Sequence, residues 1–324
     1  IIVTGLGANT FSLNVLNGFG ASLFGYPQYN IFSLPIVNAY IPSTAVGNID
    51  ADPAKELVIA FLHAQLPVGI YFYEIDLSSG ISSQITATPI AAGFPVTTEL
   101  VLVNIDASPD QEVLIGVGSQ GSGPNFFAFK ANGTAVPGWP INYSATGISV
   151  LPLYMAAGQP IGSGISQVAV LVPNISPINS AILLIDQNGS MATGFPANPS
   201  YSYNLDNNGL RIVDINLDTA KDILFVSPFG GIIYAYDGNG ASLPNFPLSV
   251  PTTPTIIGEF FIGPTMKDVD GDGIFEIVWM KSTTAIANPS AKVFVYKLAF
   301  FEGSSPSLSY GSFRANSRNT NAVP

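Results

Sequence analysis

The chain has 324 residues, of which 47% are hydrophobic and 10% are charged, and its formal net charge is −11 at pH 7. Only 10 residues are Lys or Arg, too few for a basic surface that neutralises phosphates, so nucleic-acid binding is disfavoured. No run of about 18 apolar residues occurs, so we expect no transmembrane helix in this segment. There is no cysteine and hence no disulfide. No signal-peptide pattern is visible, and any export signal is expected to be removed already or to lie upstream.

The first residues predict two short strands, Ile1–Thr4 and Phe11–Leu16, followed by a turn that ends in Tyr26-Pro27. The same ending, an aromatic residue before proline, recurs at Phe94-Pro95, Trp139-Pro140, Phe195-Pro196 and Phe246-Pro247. Proline is tolerated at sheet edges because no N–H is needed there. We therefore predict that each ring packs between two neighbouring sheets.

Four segments place oxygen-bearing side chains at alternate positions, close with an acid four residues later, and run directly into an apolar strand. Their candidate ligands are Asn48, Asp50, Asp52 and Glu56; Asn104, Asp106, Ser108, Asp110 and Glu112; Asp214, Asn216, Asp218 and Asp222; and Asp268, Asp270, Asp272 and Glu276. Short acidic side chains in a bent loop converge on one hard cation, and Ca²⁺ favours flexible cages of about 6–8 oxygen ligands. The pattern predicts four calcium loops, which hold most of the 21 acidic residues.

A fifth copy keeps only Gln167 before its strand and has lost the acids, so we expect it to bind no ion. The closing positions 56, 112, 167, 222 and 276 recur every 54 to 56 residues. One step back from 56 falls just before Ile1. The chain is therefore predicted to hold six repeats, the first of which lacks its loop.

Each repeat also predicts a further strand after the loop strand. These strands are Gly69–Ile75, Phe126–Lys130, Ala181–Ile185, Gly231–Tyr236 and Ala291–Leu298. Repeats of this length with several strands are typical of a β-propeller. We predict a single all-β domain over residues 1–324, with repeats at 1–40, 41–95, 96–142, 143–197, 198–250 and 251–313 and a tail at 314–324. It is either a six-repeat propeller or the six-repeat remainder of a seven-bladed one.

The chain resembles the FG-GAP/VCBS-type repeat family, whose members include the calcium-loop propellers of integrin α-subunits. The resemblance covers nearly the whole chain and is most specific from Asp268 to Val278. It implies the Ca²⁺ ligands named above, with main-chain carbonyls at Ala54, Asp110, Ala220 and Ile274 as further ligands. Ser108 is a departure because a hydroxyl is a weaker ligand, and the Gly-Ala-Pro half of the family motif is not evident. The segment 310–316 resembles the tail that ends many secreted members.

No catalytic constellation is predicted. His63 is the only histidine and is expected just past the strand 57–61, without a catalytic partner. Trp139 and Trp279 are interpreted as packing residues, although together with 13 Tyr they could stack on sugars. The sequence favours a non-enzymatic, calcium-stabilised propeller that acts in adhesion, binding or surface assembly. A carbohydrate-binding lectin and a secreted polysaccharide-active enzyme are the alternatives.

The expected location is extracellular or at the cell surface, where millimolar Ca²⁺ suits loops of modest affinity. Expected partners are other surface proteins, further copies of the chain, or glycans. Four N-glycosylation sequons occur, at Asn132, Asn142, Asn174 and Asn188. The two in Asn-Gly turns, Asn132 and Asn188, are the favoured sugar sites. Closure of the first repeat by a longer native chain or a donated strand is favoured over closure by the tail 314–324.

Overall fold

The computed structural model describes the backbone in twenty-one separate ranges of the chain. These are 2–6, 11–17, 19–22, 28–29, 39–50, 52–63, 69–78, 82–85, 96–97, 100–106, 108–118, 126–143, 154–160, 166–173, 180–197, 210–216, 218–226, 232–249, 259–271, 276–283 and 290–297. Regular secondary structure in these ranges consists of β-strands. Across the same ranges, no helix has the length and apolar character needed to cross a membrane.

The described strands form six small antiparallel sheets, numbered here in chain order. Sheet 1 contains β1 (Ile2–Leu6), β2 (Phe11–Val15) and β3 (Gln28–Tyr29); sheet 2 contains β4 (Ala39–Gly47), β5 (Glu56–His63), β6 (Gly69–Asp76) and β7 (Ser82–Gln84); sheet 3 contains β8 (Val96–Thr97), β9 (Val101–Val103), β10 (Glu112–Gly118) and β11 (Phe126–Phe129). Sheet 4 contains β12 (Tyr154–Gly158), β13 (Gln167–Pro173) and β14 (Ser180–Ile185); sheet 5 contains β15 (Arg211–Val213), β16 (Asp222–Val226), β17 (Ile232–Tyr236) and β18 (Leu248–Ser249); sheet 6 contains β19 (Glu259–Lys267), β20 (Glu276–Thr283) and β21 (Ser290–Lys297).

The strand register repeats from sheet to sheet. In sheets 2 to 6 the predicted closing residue is the first residue of the strand that follows the loop. It pairs with the last residue of the strand that precedes the loop. These pairs are Glu56 with Gly47, Glu112 with Val103, Gln167 with Gly158, Asp222 with Val213 and Glu276 with Lys267. The intervening loops are therefore equivalent, spanning 48–55, 104–111, 159–166, 214–221 and 268–275. Each closing side chain stands where the loop rejoins its sheet.

The central sheets are buried on both faces. Along β9, Val101 and Val103 pack against side chains of sheet 4, whereas Leu102 packs against side chains of sheet 2. Such strands read as continuous apolar runs because side chains alternate between two buried faces. The strands that precede the loops also touch one another in neighbouring sheets, in the order β4, β9, β12 and β15. Sheets stacked face to face in chain order, with these strands side by side, form a β-propeller.

The turn that carries the repeated aromatic–proline pair joins neighbouring sheets. Trp139 is 6% exposed, packs in the cluster between sheets 3 and 4, and donates its indole N–H to the carbonyl of Gln187 at 3.3 Å. Phe195 packs against the cluster between sheets 4 and 5. The predicted packing of these rings between sheets is confirmed at both positions. The Trp139-Pro140, Phe195-Pro196 and Phe246-Pro247 peptide bonds are cis.

Some predicted features differ from the structure or lie outside the described residues. The prediction that His63 follows its strand was wrong, because β5 continues to His63, which pairs with Ala39 and Gly69. Asp272, Ile274, Asn174 and the segments 310–316 and 314–324 lie outside the described residues. The same holds for the side chain of Trp279, so its packing role stays a prediction.

Candidate metal centres

The closing carboxylate is held in the same way in all four acidic loops. One of its oxygens accepts a hydrogen bond from the backbone N–H seven residues earlier: Ile49 to Glu56 at 2.8 Å, Ile105 to Glu112 at 2.8 Å, Ile215 to Asp222 at 2.7 Å and Val269 to Glu276 at 2.8 Å. The four carboxylates are at most 3% exposed. Each carboxylate is therefore fixed at the base of its loop, with its second oxygen left for another partner.

Loop 1 (48–56) brings three carboxylates to one point. Asp50, Asp52 and Glu56 each offer an oxygen, and the three atoms lie within 4.8 Å of one another. The backbone N–H of Asp52 donates to Asp50 at 3.0 Å, so the loop bends around its first acid. Oε1 of Glu56 and Oδ1 of Asn48 are buried without a hydrogen-bond partner. Burial raises the pKa of Glu56 to about 7, and Asp50 and Asp52 add to the rise. Three of the four predicted ligands of this loop are thus brought together, and the amide nitrogen of the fourth, Asn48, donates to the carbonyl of Asp52 at 2.6 Å.

Loop 4 (268–276) forms a second cluster of the same kind. Asp268, Asp270 and Glu276 offer oxygens that lie within 4.8 Å of one another. Gly271, with φ +80°, donates its N–H to Asp268 at 2.6 Å and turns the chain around that side chain. Oε1 of Glu276 is buried and has no hydrogen-bond partner. The predicted ligands Asp272 and the carbonyl of Ile274 fall outside the described part of this loop.

Loop 3 (214–222) closes with an aspartate, whose side chain is one carbon shorter than glutamate. Asp222 is 1% exposed, and burial raises its pKa to about 7. Oδ1 of Asp214 is buried without a partner, while its other oxygen accepts the N–H of Thr219 at 3.1 Å. Asn216 and Asp218 hydrogen-bond each other at 2.9 Å. In the described residues of this loop, three carboxylates do not meet within 4.8 Å.

Loop 2 (104–112) differs because its polar groups are paired within the protein. The ammonium group of Lys130 lies 2.6 Å from Oδ2 of Asp106. The hydroxyl oxygen of Ser108 lies 3.1 Å from Oε1 of Glu112 and 3.2 Å from the carbonyl oxygen of Asp110, and its single hydrogen is shared between these two acceptors. Although burial alone would raise the pKa of Asp106, hydrogen bonds from Lys130 and Ser108 hold it well below its ordinary range. The side chain of Asn104 contacts the carbonyl of Ser108.

The loops of neighbouring sheets are joined to each other. The N–H of Gln111 donates to the carbonyl of Asn48 at 2.9 Å, and the Gln111 side chain accepts the N–H of Asn48 at 3.1 Å. At equivalent positions, the N–H of Lys221 donates to the carbonyl of Gln159 at 3.3 Å. The loops of adjacent sheets thus meet at one end of the stack. Neither Gln111 nor Lys130 was recognised from the sequence. Gln111 directly precedes the closing residue Glu112, and Lys130 follows the strand that pairs with β10.

The sheet 4 loop has no acids among its described residues 159, 160 and 166. Its closing residue, Gln167, is 2% exposed and starts β13. That this loop binds no ion stays a prediction. Loops 1 and 4 are different, because their converging carboxylates and buried, unpartnered oxygens can hold a metal ion. The donors there are all oxygen, the ligand type preferred by hard divalent cations.

No family model matches the chain, and no curated protein matches it. Among solved structures, an exotype rhamnogalacturonan lyase, YesX, is similar with a TM-score of 0.52 and 13% identity, over 91% of this chain and 56% of that one. The Dos1 propeller has a TM-score of 0.45 and 13% identity, over 87% and 63%. A Bacillus licheniformis rhamnogalacturonan lyase has a TM-score of 0.40 and 12% identity, over 91% and 66%. The chain spans less than two thirds of each of these structures, and at such identities the likeness concerns the fold.

Proposed function

We propose that this chain is a calcium-stabilised β-propeller that serves as a non-enzymatic binding or assembly module outside the cell. One observation carries the proposal: Oε1 of Glu56 and of Glu276 are buried without a partner, each beside two further carboxylates. Burying a carboxylate costs free energy unless a counter-charge or hydrogen bonds offset the loss of water. A cation in each loop supplies that counter-charge.

Calcium is the ion that best fits these loops. The candidate ligands are carboxylate, amide and carbonyl oxygens on short flexible loops, and the chain contains no cysteine to favour softer metals. Magnesium demands a stricter octahedral geometry and keeps several waters, which suits a crowded set of side-chain ligands less well. An ion coordinated by such protein groups ties the first strand of a sheet to the second, and its role is structural.

Two features support a binding or assembly role outside the cell. Only 10% of the residues are charged and the mean hydropathy is +0.39, which favours contact with other subunits, surface proteins or glycan cover over an isolated particle. Calcium loops of modest affinity are filled at the millimolar concentrations found outside cells. Asn132 and Asn188 lie on exposed turns, where glycosylation would be sterically feasible.

Calorimetric titration of metal-free protein with Ca²⁺ tests the proposal, with Mg²⁺ as the comparison ion. We expect binding of at least two Ca²⁺ ions per chain and a melting temperature that falls in chelator and returns on adding Ca²⁺. Asp50→Asn and Asp270→Asn should each lower the ion count by one. A metal-free protein that neither binds Ca²⁺ nor melts differently in chelator contradicts the proposal.

A polysaccharide-active enzyme is the second candidate, since the similar structure with a TM-score of 0.52 is titled an exotype rhamnogalacturonan lyase. A lyase leaves an unsaturated sugar that absorbs in the ultraviolet, so incubation with rhamnogalacturonan gives a direct assay, with heat-denatured protein as the control. Rising absorbance would favour the enzyme. A glycan array tests the lectin alternative, because binding without product formation separates a lectin from both other functions.

A further inference from the structure

Loop 2 keeps the spacing of a calcium loop but pairs its groups in another way. In loops 1 and 4, Oε1 of the closing glutamate is buried without a partner. In loop 2, the corresponding oxygen of Glu112 accepts the hydroxyl hydrogen of Ser108 at 3.1 Å. The first acid of the loop, Asp106, is bound by the Lys130 ammonium at 2.6 Å. A hydroxyl and an ammonium group thus provide the contacts that a cation would otherwise provide.

The strand register explains why Lys130 reaches this loop. Val113 of β10 pairs with Phe129 of β11, so Lys130, one residue further, stands beside the start of β10 where Glu112 lies. The Lys130 side chain, which is 39% exposed, places its ammonium group 2.6 Å from Oδ2 of Asp106.

Loops 1 and 4 lack this pairing of the closing glutamate. In sheet 2, Glu56 pairs in register with Asp76, an acid that cannot act as a counter-charge. In sheet 6, Oε1 of Glu276 is buried without a hydrogen-bond partner. The internal pairing of the closing glutamate is thus a feature of loop 2 and not of loops 1 and 4.

We propose that Lys130 is a tethered replacement for the metal ion in loop 2, so that this loop takes no Ca²⁺ although its sequence resembles a calcium loop. Ser108 completes the replacement by satisfying the oxygen of Glu112 that an ion would bind. The inference rests on the proposed function in one respect: loops 1 and 4 are the ion sites with which loop 2 is contrasted. Lys130 and Ser108 therefore determine which loops are filled.

Counting ions per chain by native mass spectrometry in calcium tests this assignment. In the wild-type background, Asp106→Asn should leave the number of bound ions unchanged, whereas Asp50→Asn in loop 1 should lower it by one. The double variant Ser108→Asp/Lys130→Met removes the tethered charge and restores a carboxylate, so it should bind one more ion than wild type. Lys55→Met, which removes an exposed lysine of loop 1, should add none and serves as the control for the loss of a lysine charge.

Two results would overturn the assignment. One is a wild-type protein that loses an ion on Asp106→Asn, since loop 2 would then be occupied. The other is a folded double variant, verified by circular dichroism, that gains no ion. Failure of the proposed function looks different, because wild type would then bind no Ca²⁺ at all, whereas failure of this assignment alone leaves the ions of loops 1 and 4 in place.

Discussion

At the scale of single residues, the four closing carboxylates show how one buried group acquires different partners. Each accepts a hydrogen bond from the backbone N–H seven residues earlier in the chain, and each is nearly inaccessible to water. What differs is the second oxygen, which has no partner in Glu56 and Glu276 but is bound by Ser108 in Glu112. Burying a carboxylate oxygen without a partner costs free energy. Whether a loop needs a cation therefore depends on whether the second oxygen of its closing carboxylate has a partner.

Glu56→Gln should therefore change stability in opposite directions with and without calcium. In Ca²⁺ the variant loses a charged ligand and should be destabilised by about 1–3 kcal/mol, the usual cost of an unmatched buried polar group. In chelator it should be as stable as wild type or more so, because no buried charge remains. Urea unfolding under both conditions measures this. Glu112→Gln is the matched control, and a loss of stability in calcium as large as that of Glu56→Gln would contradict the difference between the loops.

The metal-free protein should become less stable as the pH rises. Burial raises the pKa of folded Glu56 from 4.5 to about 7, so between these values the folded chain holds a proton that the unfolded chain has released. Stability is then highest below the ordinary pKa, declines through the window and is lowest above about 7. The calcium-loaded protein should follow the opposite trend, because protons compete with the ion for the same oxygens. Melting temperatures of both forms across this window test the sign, and parallel curves would refute it.

At the scale of elements, the outer hairpin turns of adjacent sheets are in backbone contact. A Cβ on Gly189 would lie 2.7 Å from the carbonyl oxygen of Gly138, and one on Gly138 would collide with the carbonyl of Asn188. Gly194 and Gly240 repeat the arrangement between sheets 4 and 5. The spacing between sheets is thus set by main-chain atoms, which explains the glycines before Trp139-Pro140 and Phe195-Pro196; before Phe246-Pro247 the same position is Asn245, which also has a positive φ of 66°.

Gly138→Ala should destabilise the protein more than a glycine-to-alanine change at a position with a similar φ but no close neighbour. Its φ of +88° alone costs an L-residue roughly 1–2 kcal/mol, and overpacking against Asn188 adds typically about 1–3 kcal/mol. Gly20→Ala is the matched control, since Gly20 has φ +79° but no atom within 4 Å of the added carbon. Denaturant midpoints measure both. Equal losses would show that the contact between the turns contributes nothing.

At the scale of the whole molecule, the candidate metal sites are unevenly distributed over the stack. Sheets 3 and 4 share one large buried cluster and have loops that are either paired internally or without acids in their described residues. Sheets 2 and 6 carry the two clusters that can hold a metal ion. The central pair of sheets should therefore be the part of the fold that depends least on calcium.

Hydrogen exchange with and without chelator should show this difference. Protection of the backbone amides of β5 and β20 should fall when calcium is removed, because each of these strands begins at a proposed ion ligand. Amides of β10 and β13 should keep most of their protection. Peptide-resolved mass spectrometry reads both sets in one sample. Uniform loss of protection across all four strands would contradict an ion-independent centre.

The sequence predicts the repeat and the starts of the loop strands because both depend on local spacing. Alternate polar residues followed by a β-branched run determine where a loop ends, and each of the five closing positions is the first residue of its strand. The partners of those residues were not predicted. Lys130 reaches Asp106 through the register of β10 and β11, and Gln111 reaches Asn48 through the stacking of two sheets. Ser108 was interpreted as a weak ligand, whereas its hydroxyl acts as a donor to Glu112.

The ammonium group in loop 2 also has a consequence for the order of events during synthesis. A chain made where free calcium is scarce can complete sheets 3 and 4 at once, because the positive charge that pairs with Asp106 in loop 2 is carried on its own polypeptide. Sheets 2 and 6 would be completed only once calcium reaches their loops. The two parts of the stack would then fold in a fixed order set by the supply of the ion.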